Sequence, residues 1–177
     1  MVEHSHDCDA SFVERTATME ASYHFVDSGL PNVYLAGIRY WTCKECGKQA
    51  AEIPFLKDLM VKIARAVVRQ EAPLDNNEIR FLRKRLGKKS SEFAKIIGVS
   101  PEHLSRLESS DEEYSTSKSA DRLIRVYYSL LSGDETLRDT MNKHIDEYMA
   151  TLHGEEQPSS FRAELHKDKW EAEAVPA

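Results

Sequence analysis

Cys43 and Cys46 stand two residues apart in WTCKECGK, with Gly47 directly after them. Thiolates at this spacing can reach one metal ion together, and Zn2+ in a structural site takes four such ligands in a closed tetrahedron. A full site of this kind usually shows two such pairs, yet the chain has only one other cysteine, Cys8. Around it the sequence reads HSHDCDAS, which sets His4 and His6 beside Cys8 and puts Ser11, a poor zinc ligand, three residues beyond it. Cys8, Cys43, Cys46 and His4, with His6 as the alternative histidine, would make a Cys3His centre for Zn2+. The competing reading is that the metal has been lost, leaving small buried thiols and histidines on a frayed terminus. A redox dithiol fits less well than either, because the pair follows a β-rich stretch without the strand-helix pattern of such motifs. His24, in the strand-like YHF, reads as packed rather than ligating.

A second constellation lies in IRFLRKRLGKKSSEFAKIIGVSPEHLSRLES, Ile79 to Ser109. Phe93, Ala94 and Ile97 form the inner face of one helix, with Ala94 small where the next helix must cross closely. Gly98 permits a tight turn, Val99 plugs the core, and Leu104 with Leu107 anchors the following helix. These intervals spell a helix-turn-helix. Outside on its second helix stand Pro101, Glu102, His103, Ser105 and Arg106, the positions that such a helix turns towards a major groove. Arginine can bond guanine through two hydrogen bonds and a carboxylate can accept from cytosine N4, so Glu102, His103, Ser105 and Arg106 are the expected base contacts. Arg80, Arg83, Lys84, Arg85, Lys88 and Lys89 offer cations for phosphate. Lys88 and Lys89 are best placed, at a helix N-terminus with its own N–H donors, and Arg83 and Ser100 join them as expected phosphate contacts.

The formal charge of −6 seems to argue against such a partner. Its distribution reverses the argument: residues 76–108 carry 8 basic and 4 acidic side chains (+4), between −3 over residues 1–75 and −7 over residues 109–177. Phosphate contacts need local cations, not a basic whole. With 177 residues, 31% charged and 41% hydrophobic, the chain is long enough for one medium domain or two small ones of ordinary globular type. No run approaches the ~18 apolar residues of a membrane span, and the opening MVEHSHDCDA lacks the features of a signal peptide. Both features point to the cytoplasm, where an odd number of cysteines favours metal binding over a disulfide framework.

The elements that must position these residues divide in two. From about residue 20 to 42 the chain is Tyr-rich and β-like, broken at Ser28-Gly29 and Pro31-Asn32, which predicts two or three short strands. Ile53-Pro54 opens a helix with Leu56, Leu59, Met60, Ile63 and Val67 at helical spacing, ending near Gln70. Its apolar stripe must pack on something, and a small metal-clamped β unit could offer the surface. Ile79, Leu82 and Leu86 give a further helix ending at Gly87, followed by the two helices of the turn motif, the second capped by Ser100. A fourth, about 119–131, carries Leu123, Val126, Tyr127 and Leu130 on one face. Past Gly133, Leu137, Met141, Ile145, Tyr148, Met149 and Leu152 form another helical stripe, and an acidic tail from about Gly154 reads as disordered. The expected fold class is α+β: a zinc-ribbon-like N-terminal domain over 1–72, an all-α helix-turn-helix domain over 73–132, a C-terminal helix over 133–153, and the tail over 154–177.

Residues 79–130 resemble the Xre-type helix-turn-helix, and residues 23–54, YHFVDSGLPNVYLAGIRYWTCKECGKQAAEIP, resemble the YgiT-type zinc finger that precedes it in MqsA-type antitoxins and related regulators. The resemblance implies a dimeric DNA-binding repressor with a zinc-holding N-terminal domain. In antitoxin members that domain also binds a partner toxin, usually an mRNA-cleaving ribonuclease. The family's opening Cys-x-x-Cys is broken here, since Cys8 stands alone.

The expected function is therefore a sequence-specific repressor acting on a double-stranded DNA operator, in its finer form an autoregulating antitoxin, with a standalone regulator as the alternative. A zinc enzyme is the remaining reading. It lacks a Ser/His/Asp grouping, a phosphate-cradling glycine loop or a carboxylate pair, and a fully ligated zinc offers no open position. One helix-turn-helix reads only a few base pairs, so a homodimer on two half-sites is expected. Its interface is expected on the 134–152 stripe, with the fourth helix and the turn after it as the other candidate; the competing reading is that the stripe covers the chain's own helical core.

Overall fold

A computed structural model of the chain describes residues 11–109, 116–142, 158–166 and 168–176. Cys8, His4 and His6 lie outside the described residues, as do Ile145, Tyr148, Met149 and Leu152. The strands are β1 (Phe12–Thr16), β2 (Tyr23–His24), β3 (Val33–Ala36), β4 (Arg39–Cys43), β5 (Gln49–Ala51), β6 (Pro158–His166) and β7 (Lys169–Pro176). The helices are α1 (Leu56–Arg69), α2 (Asn76–Arg85), α3 (Ser90–Ile97), α4 (Pro101–Leu107) and α5 (Lys118–Leu131), and residues 135–142 are helical after them. The class is α+β, as expected. None of the described helices is long and apolar enough to cross a membrane.

The strands form two sheets, one ordered β1-β4-β5 and the other β2-β3-β6-β7. The second sheet corrects the expectation of a disordered tail. Residues 158–176 form a hairpin, and β6 lies parallel to β3 with Val33 opposite Phe161 and Ala36 opposite Glu164. The physical reason is period-two alternation: Phe161, Ala163 and Leu165, with Trp170, Ala172 and Ala174, share one face, although the charged residues between them make the segment polar as a whole. That face packs on α1, where Leu59, Ile63 and Val67 are buried. The stripe of α1 thus meets a sheet completed by the far end of the chain, and residues 1–72 do not close as a unit without it. The Trp170 Nε1–H donates to the Pro54 carbonyl at 2.9 Å, fixing the hairpin at the entry to α1. Gly37 shows how close the two ends come. Its φ is 77°, and a Cβ there would lie 2.9 Å from the Leu165 carbonyl oxygen.

On the helical side the breaks at Gly87 and Gly98 and the Ser100 cap are as read from the sequence, and the structure adds a cap before α2. Asp75 and Glu78 form a reciprocal capping box at the start of α2. Gly98, at φ 74°, ends α3 and lets the chain turn into α4, which Ser100 caps with Pro101 in its first turn. The orientation of α5 departs from a simple amphipathic reading. Leu123 and Leu130 are exposed, whereas Asp121, Arg125 and Ser129 are buried with Ile124 and Tyr128.

Arg125 explains that inversion. Its Nε–H donates to Asp121 Oδ2 at 2.9 Å, Nη1 donates to the carbonyls of Val68 and Gln70 at 2.8 and 2.7 Å, and Nη2 donates to Ala72 O at 2.5 Å and Asp121 Oδ1 at 3.3 Å. All five guanidinium donors are matched, and three of them fall on carbonyls at and just beyond the end of α1, where helical partners run out. Asp121 Oδ1 also accepts from the Leu74 N–H at 2.7 Å. Nearby, Arg65 on α1 holds Asp134 through two hydrogen bonds of 2.8 Å. Leu137 and Met141 are buried, and Leu137 belongs to the main core. These two members of the expected dimer stripe therefore cover the chain's own core, which corrects their assignment to an interface.

A folded tail has a direct consequence for stability. Trp170 is fully buried, so Trp170→Ala is expected to cost about 3–5 kcal/mol. Urea unfolding of the full chain measures it, and an unchanged midpoint would mean that residues 158–176 add nothing to the core.

Candidate nucleic-acid interface

The outward side of α4 is what the sequence leads one to expect. Leu104 and Leu107 are buried, while Pro101, Glu102, His103, Ser105 and Arg106 are exposed. Val99 packs partly buried against the core behind the turn, and Phe93, Ala94 and Ile97 are buried on α3. Glu102 and Arg106, one turn apart, lie close enough to feel each other's charge. The carboxyl of Glu102 is held below its usual range by its own backbone N–H, then by the Ser100 hydroxyl and by Arg106. Ser100 also accepts from the His103 N–H at 3.1 Å. Its oxygen thus serves as the cap of α4.

What sequence reasoning missed is the support behind α4. Asn76, Arg80 and Arg83 recur at helical spacing along α2 and all reach the end of α4: Asn76 Nδ2 donates to Ser109 O, and Arg80 Nη2 to Glu108 O. Arg83 grips the buried Glu108 carboxylate through Nε and Nη2, both at 2.6 Å, and donates from Nη1 to Lys88 O at 2.9 Å. Hydrogen bonding to Glu108 raises the pKa of Arg83 against the opposing effect of its burial. Each nitrogen of Arg83 already has an internal acceptor, so in the described structure this expected phosphate contact is directed to α4 and the turn before α3. No local signal announces a pair separated by twenty-five residues.

Lys88 and Lys89 flank the start of α3 as expected. Lys88 donates to Glu92 Oε1 at 2.9 Å, an i,i+4 pair at the surface that raises the lysine pKa and lowers that of the glutamate. Such a pair is weak in solution and can exchange its partner. Lys89 is exposed at the N-cap position, and its own side chain caps none of the first N–H groups of α3. The Glu92 carboxylate sits at this helix end, and its pKa is lowered by Lys88 and also by the Lys89 backbone N–H. Lys84 and Lys95 are exposed as well.

Residues 79–126 match the helix-turn-helix family. This segment is a helix-turn-helix domain. No curated protein and no solved structure matches the chain. The domain's first matched residue is Ile79 on α2 and its last, Val126, lies on α5, so the match spans the four helices that carry α4 and its support.

At the other end of the molecule, Cys43 and Cys46 lie at the β4–β5 turn, Cys43 buried and Cys46 exposed. The Gly47 N–H returns to Cys43 O at 3.1 Å, and the Cys43 N–H donates to Lys48 O at 2.9 Å. Among the described residues no three His, Cys, Asp or Glu side chains group to hold a metal ion. His24 stacks on Tyr34, and its Nε2 lies 2.7 Å from Pro31 O, but the residue is exposed and not packed in the core as expected.

The helix-turn-helix domain joins α1 through one further buried group, Glu78. Its Oε2 accepts from Gln70 Nε2 at 2.8 Å and from the Asp75 N–H at 2.9 Å. Burial, then the neighbouring Asp75 carboxylate, push its pKa up to about 8, against the lowering effects of those hydrogen bonds and of Arg125. A carboxyl raised in the folded state contributes stability that is full below its ordinary value of 4.5 and is lost as pH rises through about 8. Glu78→Gln keeps the capping geometry without the titration. The melting temperature of wild type is therefore expected to fall relative to Glu78→Gln as pH rises from 4.5 to about 8, by thermal denaturation across that range; parallel profiles would place the Glu78 pKa elsewhere.

Proposed function

We propose that this chain is a sequence-specific DNA-binding transcriptional repressor that lays α4 in the major groove and reads base edges with Arg106 and Glu102, assisted by His103 and Ser105. The observation that carries this reading is the exposed polar face of α4 in a helix-turn-helix domain whose anchoring residues Phe93, Ala94, Ile97, Leu104 and Leu107 are turned inward. Lys88, Lys89 and the start of α3 hold phosphate, and Asn76, Arg80 and Arg83 keep α4 at its angle from behind. The resemblance of residues 23–54 to antitoxin zinc fingers supports the finer reading, an autoregulating antitoxin whose N-terminal part holds a toxin. A standalone regulator is its alternative.

The repressor acts as a homodimer joined through α5, where Leu123 and Leu130, seven residues apart, stay exposed on one face. Two copies then place α4 on half-sites about one DNA turn apart. Footprinting on operator DNA selected from a random library tests both parts. Arg106→Ala is expected to erase sequence preference, at about 1–3 kcal/mol for a lost bidentate base contact, while weak binding to any DNA persists. Leu123→Lys with Leu130→Lys is expected to reduce two protected half-sites to one. Unchanged selectivity in the first variant sinks the base-reading role; two half-sites in the second sink the α5 interface.

Zn2+ joins this reading as a structural ion of the N-terminal part, held by Cys43, Cys46, Cys8 and His4 or His6. What supports it is strand pairing. Phe12 lies opposite Cys43, and the Lys44 N–H donates to Ser11 O at 3.3 Å, so Ser11, three residues after Cys8 in the sequence, lies beside the β4–β5 turn. Three residues span at most about 10 Å, which is within reach of one ion. The ion would stabilise the turn and carry no reaction. Mass spectrometry under native conditions is expected to find one Zn2+ per chain, lost in Cys8→Ser and in Cys46→Ser; a metal-free wild-type chain purified with zinc present would dismiss it.

A further inference from the structure

The second sheet ends, among the described residues, on β7, which runs eight residues beside β6 and has no strand on its other side. The opposite edge, β2, is only two residues long. In an antiparallel pair alternate residues exchange both backbone bonds with the partner and the others direct theirs away. Trp170 belongs to the outward set, because its N–H reaches Asp58 Oδ2 at 3.4 Å. Ala172 and Ala174 share its phase, and the register from Phe161 to His166 is unbroken. A long regular edge of this kind is a template for another strand unless something shields it.

The charges beside that edge select what can pair. On the hairpin face away from α1, Glu164 stands directly opposite Glu171, and Arg162 opposite Glu173. Like charges facing each other across a ladder are destabilising. His166, 3.1 Å from Glu164, is the nearest relief. Beside these side chains, under Met19, lies a cavity of about 250 Å³ lined by Arg162, Glu164, His166, Glu171 and Glu173. A second copy of β7 would bring Glu171 and Glu173 against their own kind, so self-pairing meets repulsion where a basic strand meets attraction.

We propose that the edge of β7 between Trp170 and Ala174 takes up a basic extended segment of a partner protein as an added strand, its lysine or arginine side chains set against Glu171, Glu173 and Glu164. Backbone bonds to Ala172 and Ala174 supply the attachment, and the glutamates choose the sequence. None of these residues comes from α2 to α5, so the site stands whether or not the chain binds DNA.

The test is fluorescence anisotropy with the full chain and a labelled seven-residue peptide of alternating lysine and valine. Saturable binding is expected, weakened about tenfold or more by Glu171→Lys with Glu173→Lys and by Ala172→Pro, and absent for a peptide with glutamate in place of lysine. Proline at residue 172 removes an outward N–H and keeps the bonds to β6, and thermal melting checks that the variant folds. A lysine-valine peptide N-methylated at alternate residues makes the same test without altering the protein, and it is expected not to bind. No binding by the unmodified peptide at millimolar concentration overturns the proposal. So does unweakened binding to either variant or by the N-methylated peptide, which would leave charge attraction or another surface as the cause. A wild-type dimer that Ala172→Pro makes monomeric overturns it in favour of self-pairing.

Discussion

The buried guanidinium of Arg125 is the interaction on which the arrangement of the two halves depends. An unpaired charge could not stay in that position, because its desolvation would exceed any packing gain. Asp121, one turn earlier on α5, supplies the opposite charge, and the carbonyls of Val68, Gln70 and Ala72 occupy the remaining donors. Those carbonyls lie in the last turn of α1 and just beyond it, where the partial negative charge of the helix favours a cation. One side chain therefore caps α1, holds the link into α2 and fixes α5 against both. Truncating it would take one donor from each of three carbonyls and the paired cation from the Asp121 carboxylate together. The orientation of the helix-turn-helix domain relative to the β sheets follows from this clamp and from the Arg65–Asp134 pair beside it.

A similar diversion of cations shapes the outward side of the helix-turn-helix domain. The local charge of residues 76–108 looks generous in the sequence, but Arg80 and Arg83 are drawn inward to Glu108 and its carbonyl, and Lys88 lies on Glu92. What remains outward is concentrated near the start of α3 and on α4. A helix of seven residues has little stiffness of its own. Holding its C-terminal end from α2 fixes the angle at which it presents its outward side chains.

The β part is assembled from both ends of the chain. Pairing β3 with β6 joins residues more than a hundred positions apart, and the face that results buries the stripe of α1. Long-range parallel pairing closes slowly, since loop entropy must be overcome before its contacts form. Gly37 marks the junction, where only a missing Cβ lets the corner after β3 approach the Leu165 backbone.

How much of this fold is legible in the sequence depends on the range of the interaction in question. Helix limits, the caps at Asp75 and Ser100, the turn at Gly98 and the inward set Phe93, Ala94, Ile97, Leu104 and Leu107 are settled by neighbours within a few residues, so they can be read directly, and the outward face of α4 with them. The Cys43 and Cys46 spacing is equally plain, but which groups join them depends on the path of a distant segment. The β6–β7 hairpin looks like a solvated tail because its alternating apolar residues sit among charges, and only a partner sheet and α1 give that alternation something to cover. Arg125, Arg83 and Glu108 are invisible as buried residues, since charged side chains read as solvated until a partner far away in the chain is brought beside them. Local sequence determined which elements form and, for most of them, which faces are apolar. Tertiary structure alone decided which charges go inside, because a charge can be buried only where the fold has already gathered the acceptors that replace water.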